Sequence, residues 1–451
     1  MIVLPFKGSV KCITRVGIAA LILIGCDYVG YAETGNRWVE ADSAAAIKSR
    51  LLSDFRLTFD QARDEIAKLY GDSVASRIRE YADKHYIETK VIDGVERVHH
   101  KSIKNLKLLN PEMNGGWKLR GGTASEKRIE YVRDVVNHSI GDGHTRSDAS
   151  RRVKYRFSID VPYSDVLEGD TLRVWMPMVF DNGRQDDIRI LSASQDYVMS
   201  TPEQSIHSSI YMERPVEKGK TTHFEYVGEY IAKGQYYAPE YILRNLKPYN
   251  KESDEYKKYT KIEQPHILIY NDLAKDIVGD ETNPYRQSEL VYDYIINRYP
   301  WAGAREYSTI SCIPDYVLRE GHGDCGQVAL LYISIMRSLG VPARWESGWM
   351  LHPGEKNLHD WAEVYYEGVG WVPVDVSFGR YTPSSDPRVV KFYSTGQDVH
   401  RMAVNRGVCG EFYPAKKYVR SETVDFQLGE VESTKGNLFY PMWDSSLEIL
   451  N

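Results

Sequence analysis

Cys325, His359 and Asp375 are the residues of this chain whose types and order suit a nucleophilic reaction. Cys325 lies in Gly321-His322-Gly323-Asp324-Cys325-Gly326, directly ahead of the apolar run Gln327 to Leu339. The pattern predicts a thiol at a helix N-terminus, where backbone amides and the macrodipole favour a thiolate. Downstream, His359 can take the thiol proton, hold it as imidazolium and return it to a leaving amine. Asp375 can fix the imidazole tautomer and stabilise its charge. Attack on an amide carbonyl carbon would give a thioester, with the Cys325 backbone N–H as one donor to the developing oxyanion. Trp301 is the upstream candidate for a second donor, against its plainer use as a core or cleft-wall residue.

The elements that must hold these groups are legible in the periodicity. Val328, Leu331, Tyr332, Ile335 and Leu339 form one apolar stripe, and Gly340 and Pro342 stop the helix. After Pro342 the period becomes two, so Leu358–Tyr366 and Trp371–Val376 read as strands of a hairpin through Glu367-Gly368-Val369-Gly370. Opposed residues of an antiparallel pair have a constant sum of numbers, so His359 and Asp375 share a face only if the loop is odd in length. A three-residue loop, Glu367 to Val369, places Asp375 opposite Trp361 and diagonal to His359. That is within reach of a carboxylate–imidazole hydrogen bond.

Other chemistry is weaker on the same residues. Cys325, His359, Asp375 and His322 suit zinc by type, but no two are spaced as a ligand pair. His99-His100 reads as a solvated pair, and His322 and His352 as loop residues. The reading needs no metal and no cofactor.

At these residues the chain resembles the transglutaminase-like superfamily. GDCGQVALLYISIMRSLGVPARWESGW is similar to its nucleophile helix and following strand, and LHDWAEVYYEGVGWVPVD to its histidine and aspartate hairpin. The resemblance is close over about 265–380. It implies an α+β, papain-like core in which the cysteine helix packs on an antiparallel sheet. It also implies an activity that cross-links glutamine to amines or hydrolyses amide bonds, although some members are inactive binding proteins.

The remaining chain sets the context. With 451 residues, a formal charge of −6 and no basic face, the protein is not built to hold nucleic acid. Lys7, Lys11 and Arg15 precede the short apolar run Val16 to Ile24, which is too short to span a bilayer as a stable helix. Leu23-Ile24-Gly25-Cys26 resembles a bacterial lipoprotein signal, with Cys26 as the lipidated residue. Its removal would take the charge from −6 to −9 by the loss of those three basic residues. Export leaves Cys312, Cys325 and Cys409; Cys312 and Cys409 are available for a disulfide, and Cys325 is the odd thiol.

The expected order is a signal peptide (1–25), a tether (26–42), a helical module and linker (43–147), a β-sandwich (148–235) and a linker (236–264). A transglutaminase-like core (265–385) and a β-rich C-terminal extension packed on it (386–451) complete the chain. The function expected is exported, cysteine-dependent acyl transfer on a peptide, protein or other amide, by hydrolysis rather than cross-linking, at a periplasmic or cell-surface membrane. The alternative is a catalytically silent, lipid-anchored protein that binds a peptide or glycan.

Overall fold

The computed structural model describes residues 40–115, 126–140, 146–147, 149–166, 168–379 and 384–450. The expected signal peptide, Cys26 and nearly all of the tether lie outside them. Among the described residues, no helix is long and apolar enough to cross a membrane.

The cysteine stretch opens the helix Cys325–Ser338. Asp324 is its N-cap: the Asp324 carboxylate accepts from the Gln327 N–H at 3.1 Å, and the Gln327 side-chain oxygen accepts from the Asp324 N–H at 3.1 Å. Gly321, at φ +72°, ends the preceding helix Ile313–Glu320 in the left-handed conformation that favours glycine. The single apolar stripe read from the sequence is too narrow a description. Every residue from Gly326 to Arg337 is buried, because the helices Asn271–Val278, Pro284–Arg298 and Ile313–Glu320 and the strand Asn357–Tyr366 all pack on this helix. Arg337, near its C-terminal end, is paired inside: it donates to the Ala343 and Lys261 carbonyls at 2.8 Å and pairs with Glu263 at 2.8 Å.

The helix rests on a four-stranded antiparallel sheet, ordered Gly370–Val374, Asn357–Tyr366, Ala343–Met350, Arg401–Asn405. The hairpin register is the expected one. Tyr366 pairs with Gly370 and Ala362 with Val374 across Glu367–Val369, so continuation of the ladder sets Asp375 opposite Trp361.

Two further antiparallel sheets share one core that includes Tyr155, Phe157, Ile159, Leu172, Val174 and Met176. Trp349, Leu351, Met402 and Val404 join that core from the catalytic sheet side. A buried ionic cluster also links the regions: Arg184 pairs with Glu346 and, at 2.7 Å, with Glu363, which Arg344 meets at 2.6 Å. The stretch 386–451 is divided rather than continuous. Arg401–Asn405 completes the catalytic sheet, whereas Glu430–Ser433 and Asp444–Ile449 pair with Thr171–Pro177 and Ser150–Val161. Period-two patterning identifies a strand but not its distant partner, which is why the division is invisible in sequence.

The N-terminal region combines helices with a small sheet of Leu57–Thr58, Val95–Val98 and Thr89–Ile92. Its helix Ser102–Leu109 braces the loop that follows Pro300. Asn105 imitates a peptide group there, donating to the Gly303 carbonyl at 2.9 Å and accepting from the Gly303 N–H at 2.8 Å. Asp54 accepts from the Glu306 N–H at 2.8 Å, and Arg50 pairs with Glu306 at 2.6 Å.

Asn105→Ala should therefore cost about 2 kcal/mol in urea unfolding, the loss of two nearly buried hydrogen bonds. Hydrogen exchange of residues 301–309 should accelerate with it; unchanged exchange would show that the brace does not hold this loop.

Candidate active site

Cys325, His359 and residues adjoining Asp375 line one cleft of about 1230 Å³. Its wall includes Trp301 and Leu108, both more than two-fifths exposed, with Met113, Leu358 and Tyr440. Trp301 thus stands at the cleft wall.

Strand alternation and loop length bring His359 and Asp375 to one face. His359 Nε2 lies 2.6 Å from Asp375 Oδ2, and both residues are buried. Burial opposes charge on Asp375, but His359 and Arg401 outweigh it, so its pKa lies below the usual carboxylate value. An ionised Asp375 can only accept, which assigns the hydrogen to Nε2 and leaves the lone pair on Nδ1. For His359, burial and the charge of Arg401 prevail over the attraction of Asp375 and depress the pKa below its ordinary value. That direction favours a neutral imidazole, whose Nδ1 would be the base nitrogen.

Arg401 was not foreseen. It donates to Asp375 Oδ2 at 2.9 Å, is buried, and lies over the Phe378 ring with its guanidinium carbon 4.6 Å from the centroid. It comes from a strand 26 residues beyond the aspartate, with nothing in local periodicity to mark it.

Cys325 is partly exposed at its helix start. Its Sγ donates to Asp360 Oδ2 at 3.2 Å and accepts from the Asp360 backbone N–H, and it shares the cleft lining with His359. Burial, then the carboxylates of Asp360 and Asp324, push its pKa well above the ordinary thiol value. These carboxylates act against the thiolate that the helix start favours. Gly326 makes the approach possible: a Cβ there would stand 2.3 Å from the Tyr307 hydroxyl and 2.7 Å from Asp360 Oδ2. Gln427 donates to Asp360 Oδ1 at 2.7 Å and to the Gly348 carbonyl at 2.9 Å. A sequence signal for Asp360 did exist, since it alternates with His359 and must face the apolar helix side.

Cys312 and Cys409 are not joined by a disulfide. Cys312 is the N-cap of Ile313–Glu320, with its Sγ 3.9 Å from the Tyr270 hydroxyl, while the Cys409 N–H donates to Val424. Among the described residues, the grouping with metal-like spacing is Asp54, His99 and His100, not the cysteine set. His99 is 1% exposed, which corrects the solvated reading; it is enclosed beside Phe55. Lys101 and Arg305 place positive charge against the same group, which opposes a divalent ion. His322 and His352 are buried as well.

Residues 271–376 match the family model described as the transglutaminase-like superfamily. An uncharacterized protein of Haemophilus influenzae is 24% identical over 232 residues, covering 43% of this chain and 61% of that protein. The uncharacterized protein YebA of Bacillus subtilis is 27% identical over 177 residues, covering 33% of this chain and 23% of that protein. The chain thus spans less than two thirds of the length of either. Among solved structures, a protein of Cytophaga hutchinsonii named "Putative Cysteine Protease" aligns at 16% identity and TM-score 0.41, covering 67% of this chain and 93% of its own. The periplasmic domain of TgpA from Pseudomonas aeruginosa aligns at 14% identity and TM-score 0.26, with 58% and 94% covered.

Because Arg401 repels a protonated imidazole and competes for Asp375, Arg401→Gln should raise the His359 pKa. Arg401→Lys, which keeps the charge, should move it less. Titration of the His359 ring proton by NMR reads the shift, and a pKa that stays or falls in Arg401→Gln would contradict this electrostatic assignment.

Proposed function

We propose that this chain, whose residues 271–376 form a transglutaminase-like domain within an α+β fold, is an exported enzyme that cleaves amide bonds through a thioester on Cys325. The observation that carries the reading is the His359–Asp375 contact of 2.6 Å beside a cleft that Cys325 also lines. Nothing in that geometry requires a metal or cofactor.

In the proposed cycle, the Cys325 thiol proton passes to His359 Nδ1 as Sγ bonds to the substrate carbonyl carbon. The Cys325 N–H at the helix start donates to the oxyanion, an interaction of roughly 3 kcal/mol where such donors have been removed. Collapse breaks the C–N bond, and His359 gives its proton to the departing amine. Water then yields a proton to His359 and attacks the thioester carbonyl, releasing the acid and restoring the thiol. Asp375 holds the ring and offsets its charge at each imidazolium stage.

The cleft, at about 1230 Å³, is larger than a single drug-sized ligand needs, which supports a peptide or other extended amide. Water is the acceptor in this reading because nothing in the sequence announces an amine-acceptor site. The sequence Leu23-Ile24-Gly25-Cys26 supports export and acylation, with the folded part at a bacterial membrane, periplasmic or on the cell surface. The second reading, a lipid-anchored peptide- or glycan-binding protein with a silent triad, draws on the same cleft and on the thiol bonded to Asp360.

A peptide and amide library incubated with the protein should show turnover that Cys325→Ala lowers by roughly 10³-fold or more and His359→Gln by a similar factor. Equal turnover in Cys325→Ala would remove the cysteine from the chemistry. Cys26→Ser should abolish acyl mass on the protein and its sedimentation with membranes; retention of both would contradict lipidation at Cys26.

A further inference from the structure

Three carboxyl groups surround Cys325, and the acyl-transfer cycle uses none of them. Asp360 presents Oδ2 to the thiol at 3.2 Å, Asp324 caps the helix that begins at Cys325, and Asp425 hydrogen-bonds to Asp360. Each reaches the site from a different element. Asp360 follows His359 on the central strand; Asp324 accepts from the Tyr307 hydroxyl at 2.5 Å; Asp425 arrives on the C-terminal segment.

Asp425 Oδ1 accepts from the Ser347 hydroxyl, from Asn405 Nδ2 at 2.9 Å and from the Phe426 N–H at 2.7 Å, and Arg420 places positive charge against the group. Asp360 accepts from Gln427 Nε2 at 2.7 Å. Two hydrogen-bonded carboxyls in a buried site resist ionising together, which favours one proton held between them. Burial, then Asp425 and Asp324, raise the Asp360 pKa well above the carboxylate range, and burial raises that of Asp425.

We propose that Asp360, sharing a proton with Asp425, is a positioning residue that holds the Cys325 S–H turned toward itself, so that the resting site is a neutral thiol beside a neutral imidazole. The thiol must leave Asp360 before its proton can pass to His359 Nδ1 and its sulfur to the substrate carbonyl. No atom is gained or lost in the resting contact; only the hydrogen-bond partner of the S–H changes. The arrangement suits an exported protein, since a protonated thiol resists oxidation in an oxidising compartment. It also accounts for Gly326, where any side chain would intrude between Tyr307, Asp360 and Trp345. The consequence for catalysis rests on the acyl-transfer reading above, whereas the resting state of the thiol does not.

The test is the pH dependence of Cys325 alkylation by iodoacetamide in the whole chain, with modification located by peptide mass spectrometry to separate it from Cys312 and Cys409. The midpoint of the unaltered protein should lie above that of an ordinary thiol, and His359→Gln should leave it in place. Asp360→Asn should lower it by at least about one pH unit, with a roughly tenfold faster reaction at neutral pH. Asp425→Asn leaves the charge of the pair on Asp360 beside the thiol and should not lower it; a lowered midpoint there would contradict the shared proton. A midpoint unmoved by Asp360→Asn would overturn the proposal. So would an unaltered protein whose midpoint lies below that of an ordinary thiol and rises in His359→Gln, the behaviour of a thiolate–imidazolium pair; this arm stands even if Asp360→Asn does not fold. A lowered midpoint in Asp360→Asn without amide turnover in any form would keep this inference and reject the hydrolase reading.

Discussion

The complete burial of one helix is the constraint on which the site depends. From Gly326 to Arg337 the cysteine helix has no face toward water, so its surroundings must be apolar or internally paired at every position. Helices close one side and the catalytic sheet the other, and Arg337 is bonded to carbonyls on both sides. Such a helix has little freedom to slide or turn. Its N-terminus, capped by Asp324 and Gln327, is where it meets the cleft, and the partly exposed residue next to the cap is Cys325. A small thiol there is positioned by packing remote from it.

Two electrostatic regimes meet at that point. On one side, Asp375 is kept ionised by His359 and Arg401, which prepares an imidazole with a basic Nδ1. On the other, the carboxyls of Asp360 and Asp324 flank the sulfur and disfavour negative charge there. The adjacent residues His359 and Asp360 divide these environments because a strand sends successive side chains to opposite faces. One strand thereby supplies both the base and the group that restrains the thiol. The sheet carrying them is tied to the neighbouring strand-rich region by Arg184, which pairs with both Glu346 and Glu363, while Arg344 and Arg406 pair with the same two carboxylates.

Much of this was readable in local sequence. The hairpin register followed from parity and a three-residue loop, and the Tyr366–Gly370 pairing has that register. The helix start followed from the glycines, and Asp324 with Gln327 completes it as a capping box. What local patterns did not disclose depends on distant segments. Arg401, Asp425 and Gln427 reach the site from the C-terminal region, and the strands after Glu430 return to sheets begun near Ser150. No periodicity encodes such pairings. Asp360 is an intermediate case: its face was deducible, but the carboxyl pair that gives it consequence was not.

The central claim is that Cys325 accepts an acyl group with His359 as its base. It is tested most directly by the intact mass of the protein after brief exposure to a p-nitrophenyl ester at neutral pH, with the modified residue located by peptide mapping. The account predicts one acyl group on Cys325, released by hydroxylamine, formed slowly or not at all in His359→Gln and absent in Cys325→Ala. Acylation elsewhere, or equal acylation of Cys325 in His359→Gln, would contradict it.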